Sequence, residues 1–110
     1  MWESILDRSE AMTEFIQVST TVNSKKADKI ARKLLDERFA SCVQVLGPIH
    51  SKYWWKGRID RVREWICLIN SRADDYSRIE ASIRGMHPYD VPEILALPVS
   101  TRKYRLSQLD

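Results

Sequence analysis

The feature that most constrains the fold is an apolar run of five residues, Trp65 to Ile69, in which no position is polar. Successive side chains of a strand point to opposite faces, so an apolar run without alternation predicts a strand that is dry on both faces. This run is the longest of its kind in the chain, whereas a membrane-spanning helix needs roughly 20 apolar residues. We therefore expect a sheet covered on both sides and no transmembrane segment.

The other patterns follow a simple order along the chain. Strand patterns cover 14–21, 41–56, 58–71 and 94–99, a first helix covers 25–39, and a second helix opens at 74–77 and stops at 85–88. This β-α-β-β-α-β order predicts a ferredoxin-like α+β fold, in which an antiparallel four-stranded sheet carries both helices on one face.

Two glycines shape the strand region in the middle of the chain. Gly57 is the turn glycine between 41–56 and 58–71, which predicts one long hairpin. Gly47 and Pro48 interrupt the first strand of this hairpin without ending its extended pattern, which indicates a bulge.

The first helix pattern has the i, i+3, i+4 spacing of an amphipathic helix, and Asn23 or Ser24 is its expected N-cap. Its lysines and arginines are interleaved with acids, which favours a solvated helix face over a nucleic-acid surface. The whole chain carries 18 Lys+Arg against 15 Asp+Glu, a net charge of +3. We expect neither a nucleic acid nor a membrane as partner.

The length of 110 residues predicts one domain with one core. Residues 1–12 lack periodicity and are expected to form a flexible leader, so the domain is assigned to 13–110. The opening residues also lack the cationic start and apolar stretch of a secretory signal. A cytoplasmic protein is expected.

The two cysteines, Cys42 and Cys67, form no C-x-x-C pair and are predicted to be buried reduced thiols. A turn centred on Gly57 places Cys67 opposite Gly47. Cys42 would then be five residues away, roughly 16 Å along a strand, whereas a disulfide needs Cα atoms within about 7 Å. No intrachain disulfide is expected.

The predicted fold leaves one sheet face without helices, yet the third strand requires both faces to be dry. Tyr53, Trp54 and Trp55 add large apolar area on both faces of the hairpin. The simplest cover is a second copy of the chain. The alternative, a cover by the tail at 100–110, is weaker because this tail is mostly polar.

No catalytic motif is present, and functional side chains concentrate in residues 87–93. Two prolines stiffen this segment, and His87, Asp90 and Glu93 could converge on a cation. The competing interpretation is structural: His87 bonds the last carbonyls of the second helix, and Glu93 pairs with an arginine.

Three segments, ASCV at 40–43, SKYWWKGRI at 51–59 and HPYDVPEI at 87–94, resemble the CutA divalent-cation tolerance family in order and spacing. The resemblance runs from about residue 15 to residue 104. It implies a ferredoxin-like fold similar in shape to the PII signalling proteins, a tight homotrimer joined through the sheets, and no enzymatic activity. It also implies a link to copper or another divalent metal, which is the expected cofactor.

Some members of the family carry a thiol and a second histidine near a proposed copper site. The resemblance places Ser19 and Met86 at these two positions, so that His87 is the one group of this site that remains. Cys42 and Cys67 are assigned to the core, and Tyr53 and Trp55 to the interface between subunits. The expected function is divalent-metal tolerance, with metal bound at clefts between subunits.

Two other functions compete with this one. A PII-like trimeric sensor of a small anionic metabolite would require Arg58, Arg72 and Arg84 to converge. An RNA-binding ferredoxin-like domain would carry a Lys/Arg-Gly-Phe/Tyr strand signature, which is absent.

Overall fold

The computed structural model describes residues 14–23 and 25–100. Its elements, in chain order, are β1 (Phe15–Val22), α1 (Lys26–Asp36), β2 (Cys42–Trp55), β3 (Arg58–Arg72), α2 (Tyr76–Met86) and β4 (Ile94–Val99). The strands form one antiparallel sheet in the order β2-β3-β1-β4. The predicted ferredoxin-like α+β fold is confirmed. The predicted leader, 1–12, lies outside the described residues.

The core lies between the sheet and the two helices. β1 alternates half-buried and buried residues along its whole length, so every second side chain faces the helices. Val18 pairs with Ile69 of β3, and both are fully buried. Ile30 of α1 and Ile79 of α2 close the core from the helix side. Each such side chain contributes roughly 1.5–3 kcal/mol through burial. No helix within 14–23 and 25–100 is long and apolar enough to span a membrane.

The start of α1 differs from the prediction. The N-cap is Lys25, in helical conformation and without a side-chain cap, and its carbonyl accepts the backbone N–H of Asp28 over 3.2 Å. Asn23 therefore does not cap the helix, and Ser24 lies outside the described residues. The helix is held by packing of its apolar stripe on the sheet, which outweighs the missing cap.

The end of α1 comes three residues before the predicted one. Arg38 has a φ of 61°, the left-handed conformation that closes many helices. The backbone N–H groups of Phe39 and Ala40 then both turn back to the carbonyl of Leu34. This closure uses a helix-end carbonyl and directs the chain into β2.

The hairpin between β2 and β3 turns through two residues, Lys56 and Gly57. Their φ values are 51° and 80°, and Trp55 pairs directly with Arg58. Positive φ at both central positions is the requirement of a type I′ turn, whose twist matches that of the strands. The predicted long hairpin is confirmed, with its centre between Lys56 and Gly57.

The predicted bulge is also present. Gly47 and Pro48 of β2 lie opposite the single residue Trp65 of β3, and the peptide bond between the two is cis. A Cβ at position 47 would overlap the Trp65 ring, coming within 2.7 Å of its Cγ. Glycine at this position is therefore what lets the indole pack against the bulge.

The bulge changes the register that the cysteine prediction used. Cys67 pairs with Val45, not with Gly47, and Cys42 pairs with Asn70. Both thiols are free, as expected. The predicted burial is correct for Cys67, where burial and the charge of Asp28 raise the thiol pKa to about 11. It is wrong for Cys42, which is exposed because it faces away from the helices.

Within residues 14–23 and 25–100, no element covers the face of the sheet opposite the helices, and we call it the open face. The alternative cover, the tail beyond residue 100, lies outside the described residues. Strand alternation places on it these apolar side chains: Leu46, Tyr53, Trp55, Val62, Ile66, Leu68, Leu95 and Leu97. Leu46, Leu95 and Leu97 are exposed, and Ile66 and Leu68 of the predicted doubly apolar strand are only half-buried. On the helix side, β3 is buried at Cys67, Ile69 and Ser71, whereas on the open face Ile66 and Leu68 keep part of their surface in solvent.

Candidate functional site

Residues 87–93, the His87 loop, leave the C-terminal end of α2 and run past the end of β1 to β4. The backbone N–H of His87 donates to the carbonyl of Ile83 over 2.8 Å. At His87 the chain then leaves the helix, with a ψ of 135°. His87 and Pro92 are buried, whereas Pro88, Asp90 and Glu93 are exposed. The loop therefore has an inner and an outer side.

The His87 ring holds the loop to β1 and to itself. Its Nε2 is 2.7 Å from the carbonyl oxygen of Thr21, and its Nδ1 accepts the backbone N–H of Tyr89 over 3.2 Å. Because an amide N–H can only donate and a carbonyl can only accept, the ring is neutral and carries its proton on Nε2. Both ring nitrogens are thus occupied within the chain.

The Tyr89 side chain links the loop to β3. Its hydroxyl donates to Oε2 of Glu64 over 2.7 Å, and its ring packs against His87 with centroids 4.6 Å apart. Glu64 is only 5% exposed. Burial first, and then the hydrogen bond and charge of Glu64, raise the pKa of Tyr89 well above its ordinary value. Tyr89 therefore stays protonated at neutral pH and keeps a donor for the buried carboxylate.

The far end of the loop is fixed to the same strand. The hydroxyl of Thr20 donates to the backbone carbonyl of Glu93 over 2.8 Å. Thr20 and Thr21 therefore hold the two ends of the loop from consecutive positions of β1. The result is a rigid segment that presents the carboxylates of Asp90 and Glu93 outward.

The predicted metal ligands are not brought together within one chain. His87 points inward and uses both ring nitrogens, while Asp90 and Glu93 are exposed. Within the described part of the chain, no group of three or more His, Cys, Asp and Glu side chains could hold a metal ion. The competing interpretation gave His87 a structural role at the end of the second helix. Its ring does have a structural role, but it bonds the carbonyl of Thr21 in β1 and not a carbonyl of the helix.

The three arginines of the metabolite-sensor hypothesis do not converge in one chain. Arg58 and Arg72 lie at opposite ends of β3, roughly 46 Å apart along a strand. Arg72 lies 3.8 Å from Asp74, and Arg84 pairs with Glu80 of its own helix over 3.4 Å.

Glu64 is the site residue that sequence reasoning missed. It lies on the open face, between the half-buried residues Val62 and Ile66 of β3. An acid in an otherwise apolar row of alternate positions was the available signal. Its partner, Tyr89, is 25 residues away in sequence, and no local pattern connects the two.

An elongated hairpin on a ferredoxin-like domain, with a rigid loop whose polar groups bond one another, defines a class of small α+β domains. The family model described as CutA1 divalent ion tolerance protein matches residues 15–106. The chain belongs to this family.

Individual relatives agree with this assignment. A protein named "Divalent-cation tolerance protein CutA" from Archaeoglobus fulgidus is 32% identical over 88 residues, which are 80% of this chain and 84% of that one. The human "Protein CutA" is 38% identical over 80 residues, 73% of this chain. This chain spans only 45% of the human protein's length.

Solved structures show the same fold. CutA1 from the psychrotrophic bacterium Shewanella sp. SIB1 superposes with a TM-score of 0.81 and 31% identity, covering 88% of this chain and 92% of that one. CutA1 from Oryza sativa gives a TM-score of 0.78 and 32% identity, with 89% of both chains covered.

Proposed function

We propose that the protein is a non-enzymatic homotrimer that acts in tolerance of divalent metal ions, copper among them, and binds them at clefts between subunits. The observation that carries the proposal is the open face. Leu46, Leu95 and Leu97 are exposed there on the same side as Tyr53 and Trp55. Large exposed apolar side chains gathered on one sheet face, here set among the polar Gln17, Ser19 and Gln44, are typical of an interface between subunits.

The His87 loop supports the metal part of the proposal. Glu64, to which the loop is bonded through Tyr89, lies on the open face. A second chain packed on that face would therefore come close to the loop. Asp90 and Glu93 supply carboxylate oxygens, which suit divalent cations. His87 serves to hold the loop that presents them. Relatives named as divalent-cation tolerance proteins agree with such a role.

The test combines molecular mass with metal titration. Light scattering should give about three times the chain mass of 12.9 kDa at low micromolar concentration. Calorimetric titration of the metal-free protein with copper(I), copper(II), zinc and a nucleotide panel then identifies the ligand. Binding of a metal at one site per chain is the expected result.

A double variant connects the binding to the loop. Asp90→Asn with Glu93→Gln should lower metal affinity at least tenfold, because it removes both outward carboxylates of the loop. Asp74→Asn with Glu80→Gln removes the same charge elsewhere and should leave the affinity unchanged. A stable 12.9 kDa monomer, or binding of a nucleotide without any metal, would contradict the proposal.

A further inference from the structure

The part of the hairpin beyond the bulge, formed by 49–55 and 58–64, is the arm. Its face opposite the open face is the outer face. The outer face carries His50, Lys52, Trp54, Ile59, Arg61 and Arg63, and all six are exposed. Trp54 is 74% exposed, which makes it the most exposed aromatic side chain among the described residues.

The outer face gathers cations without acids. Lys52 pairs across the strands with Arg61, and His50 pairs with Arg63. The acids of the arm, Asp60 and Glu64, have their positions on the open face, because strand alternation sends neighbouring side chains to opposite sides.

In the part of the chain that the structure describes, none of the ion pairs involves Lys52, Arg61 or Arg63, so these cationic side chains have no carboxylate partner there. Arg63 lies over the Trp65 ring, 5.8 Å from its centroid. Lys52 and Arg61 are like charges directly opposite each other on paired strands, which is destabilising. An anion that bridges this pair would relieve the repulsion.

We propose that the outer face of the arm binds a single-stranded nucleic acid. Arg61 and Arg63 are two residues apart on β3, roughly 6.6 Å, and together with Lys52, which lies opposite Arg61, they would contact successive phosphates of one strand. Trp54, at the end of the row, offers an exposed indole on which an unpaired base can stack. Cations that follow the backbone, combined with aromatic platforms for the bases, are the general means of single-strand binding.

From the sequence we expected no nucleic acid as a partner, because acids accompany the cations of the first helix. The cations of the arm are scattered in sequence between 50 and 63 and meet only through the register of the hairpin. The outer face is opposite to the face proposed for trimer formation, so both functions are compatible.

The experiment measures fluorescence anisotropy of labelled dT20 and rU20 with the full-length protein in low salt. Affinity should fall as salt rises, with a slope of log K against log salt of about −1.4 to −2.1 for two or three phosphate contacts. Arg61→Ala with Arg63→Ala should weaken binding at least tenfold. Lys29→Ala with Arg32→Ala, the same charge change on α1, should change it less than twofold.

Trp54→Ala tests the stacking step separately. Loss of the indole should weaken binding of dT20 by about 5- to 150-fold, while leaving the mass by light scattering and the circular dichroism spectrum unchanged. Inorganic polyphosphate, a labelled 20-base-pair duplex and a poly-glutamate peptide are the competing ligands. Equal or tighter binding of any of these, an unchanged affinity of Trp54→Ala, or no binding of dT20 and rU20 would overturn the proposal.

Discussion

The two faces of the arm are built from the same two strands and have opposite characters. The open face carries Tyr53, Trp55 and Val62 together with the acids Asp60 and Glu64, whereas the outer face carries the histidine, the lysine and two arginines. The difference follows from the two-residue period of a strand. A shift of register by one residue would exchange the faces of one strand. The bulge and the two-residue turn therefore determine which surface each side chain joins.

The largest expected effect comes from breaking the bulge that sets this register. Gly47→Val would drive a branched side chain into the Trp65 ring, which a bare Cβ already overlaps. We expect a loss of roughly 3 kcal/mol in the free energy of unfolding, measured by urea denaturation. Gly85→Ala is the matched control, since nothing lies within 4 Å of its added Cβ. That helix substitution should stabilise by about 0.5–1 kcal/mol. Equal effects at both positions would show that the bulge is not close-packed.

The second effect separates the two faces by their roles in assembly. Leu97 on the open face and Ile59 on the outer face are 62% and 61% exposed in one chain. Leu97→Asp should raise the dissociation constant of the proposed trimer at least 100-fold, because a carboxylate buried in its interface without a partner is costly. Ile59→Asp should leave the mass by light scattering unchanged. If Ile59→Asp also dissociates the trimer, the interface includes the outer face.

The third effect extends the comparison to the inner and outer sides of the His87 loop. His87→Ala removes the bonds to Thr21 and Tyr89 and should cost about 2 kcal/mol in unfolding free energy, because partners in a buried site are left unpaired. Asp90→Ala, on the exposed side, should change it by less than about 0.5 kcal/mol. The reverse order of effects would show that the His87 ring faces solvent and does not hold the loop.

The smallest effect is a change in how stability depends on pH, and it concerns Tyr89, the hydrogen-bond partner of Glu64. The pKa of Tyr89 is raised in the folded chain, so above pH 10 the unfolded chain releases this proton first and stability falls as pH rises. Tyr89→Phe should flatten this alkaline decline in unfolding free energy. The decline contributed by Cys67, whose pKa burial raises to about 11, should remain. An unchanged slope in Tyr89→Phe would show that the phenol is not coupled to folding.

Most of the fold was predictable because periodicity and turn residues act locally. The β-α-β-β-α-β order, the turn at Gly57 and the bulge at Gly47 and Pro48 all follow from patterns within a few residues. The start of α1 was not predictable in this way. Asn23 was an available N-cap, but the helix begins after Lys25, whose carbonyl accepts the backbone N–H of Asp28 in the first turn.

The site was less predictable because its contacts are long-range. The loop at 87–93 was identified from its composition, but its acids and its imidazole face different ways. The direction of each side chain depends on bonds to β1 and β3, between 25 and 73 residues away. The same reason explains the exposed Cys42, whose face is determined by the hairpin register and not by its neighbours in sequence.

Among the described strands, β2 and β4 lie at the edges of the sheet, and each contains a proline, Pro48 and Pro98. A proline has no backbone N–H, so neither edge offers an unbroken row of donors to another strand. Open edges are the usual starting points of fibrils, which grow by adding strand after strand. In this chain the two prolines interrupt such growth at both ends of the sheet. The sheet exposes much apolar surface in a single chain, but its proline-containing edges disfavour the repeated addition of strands from other chains.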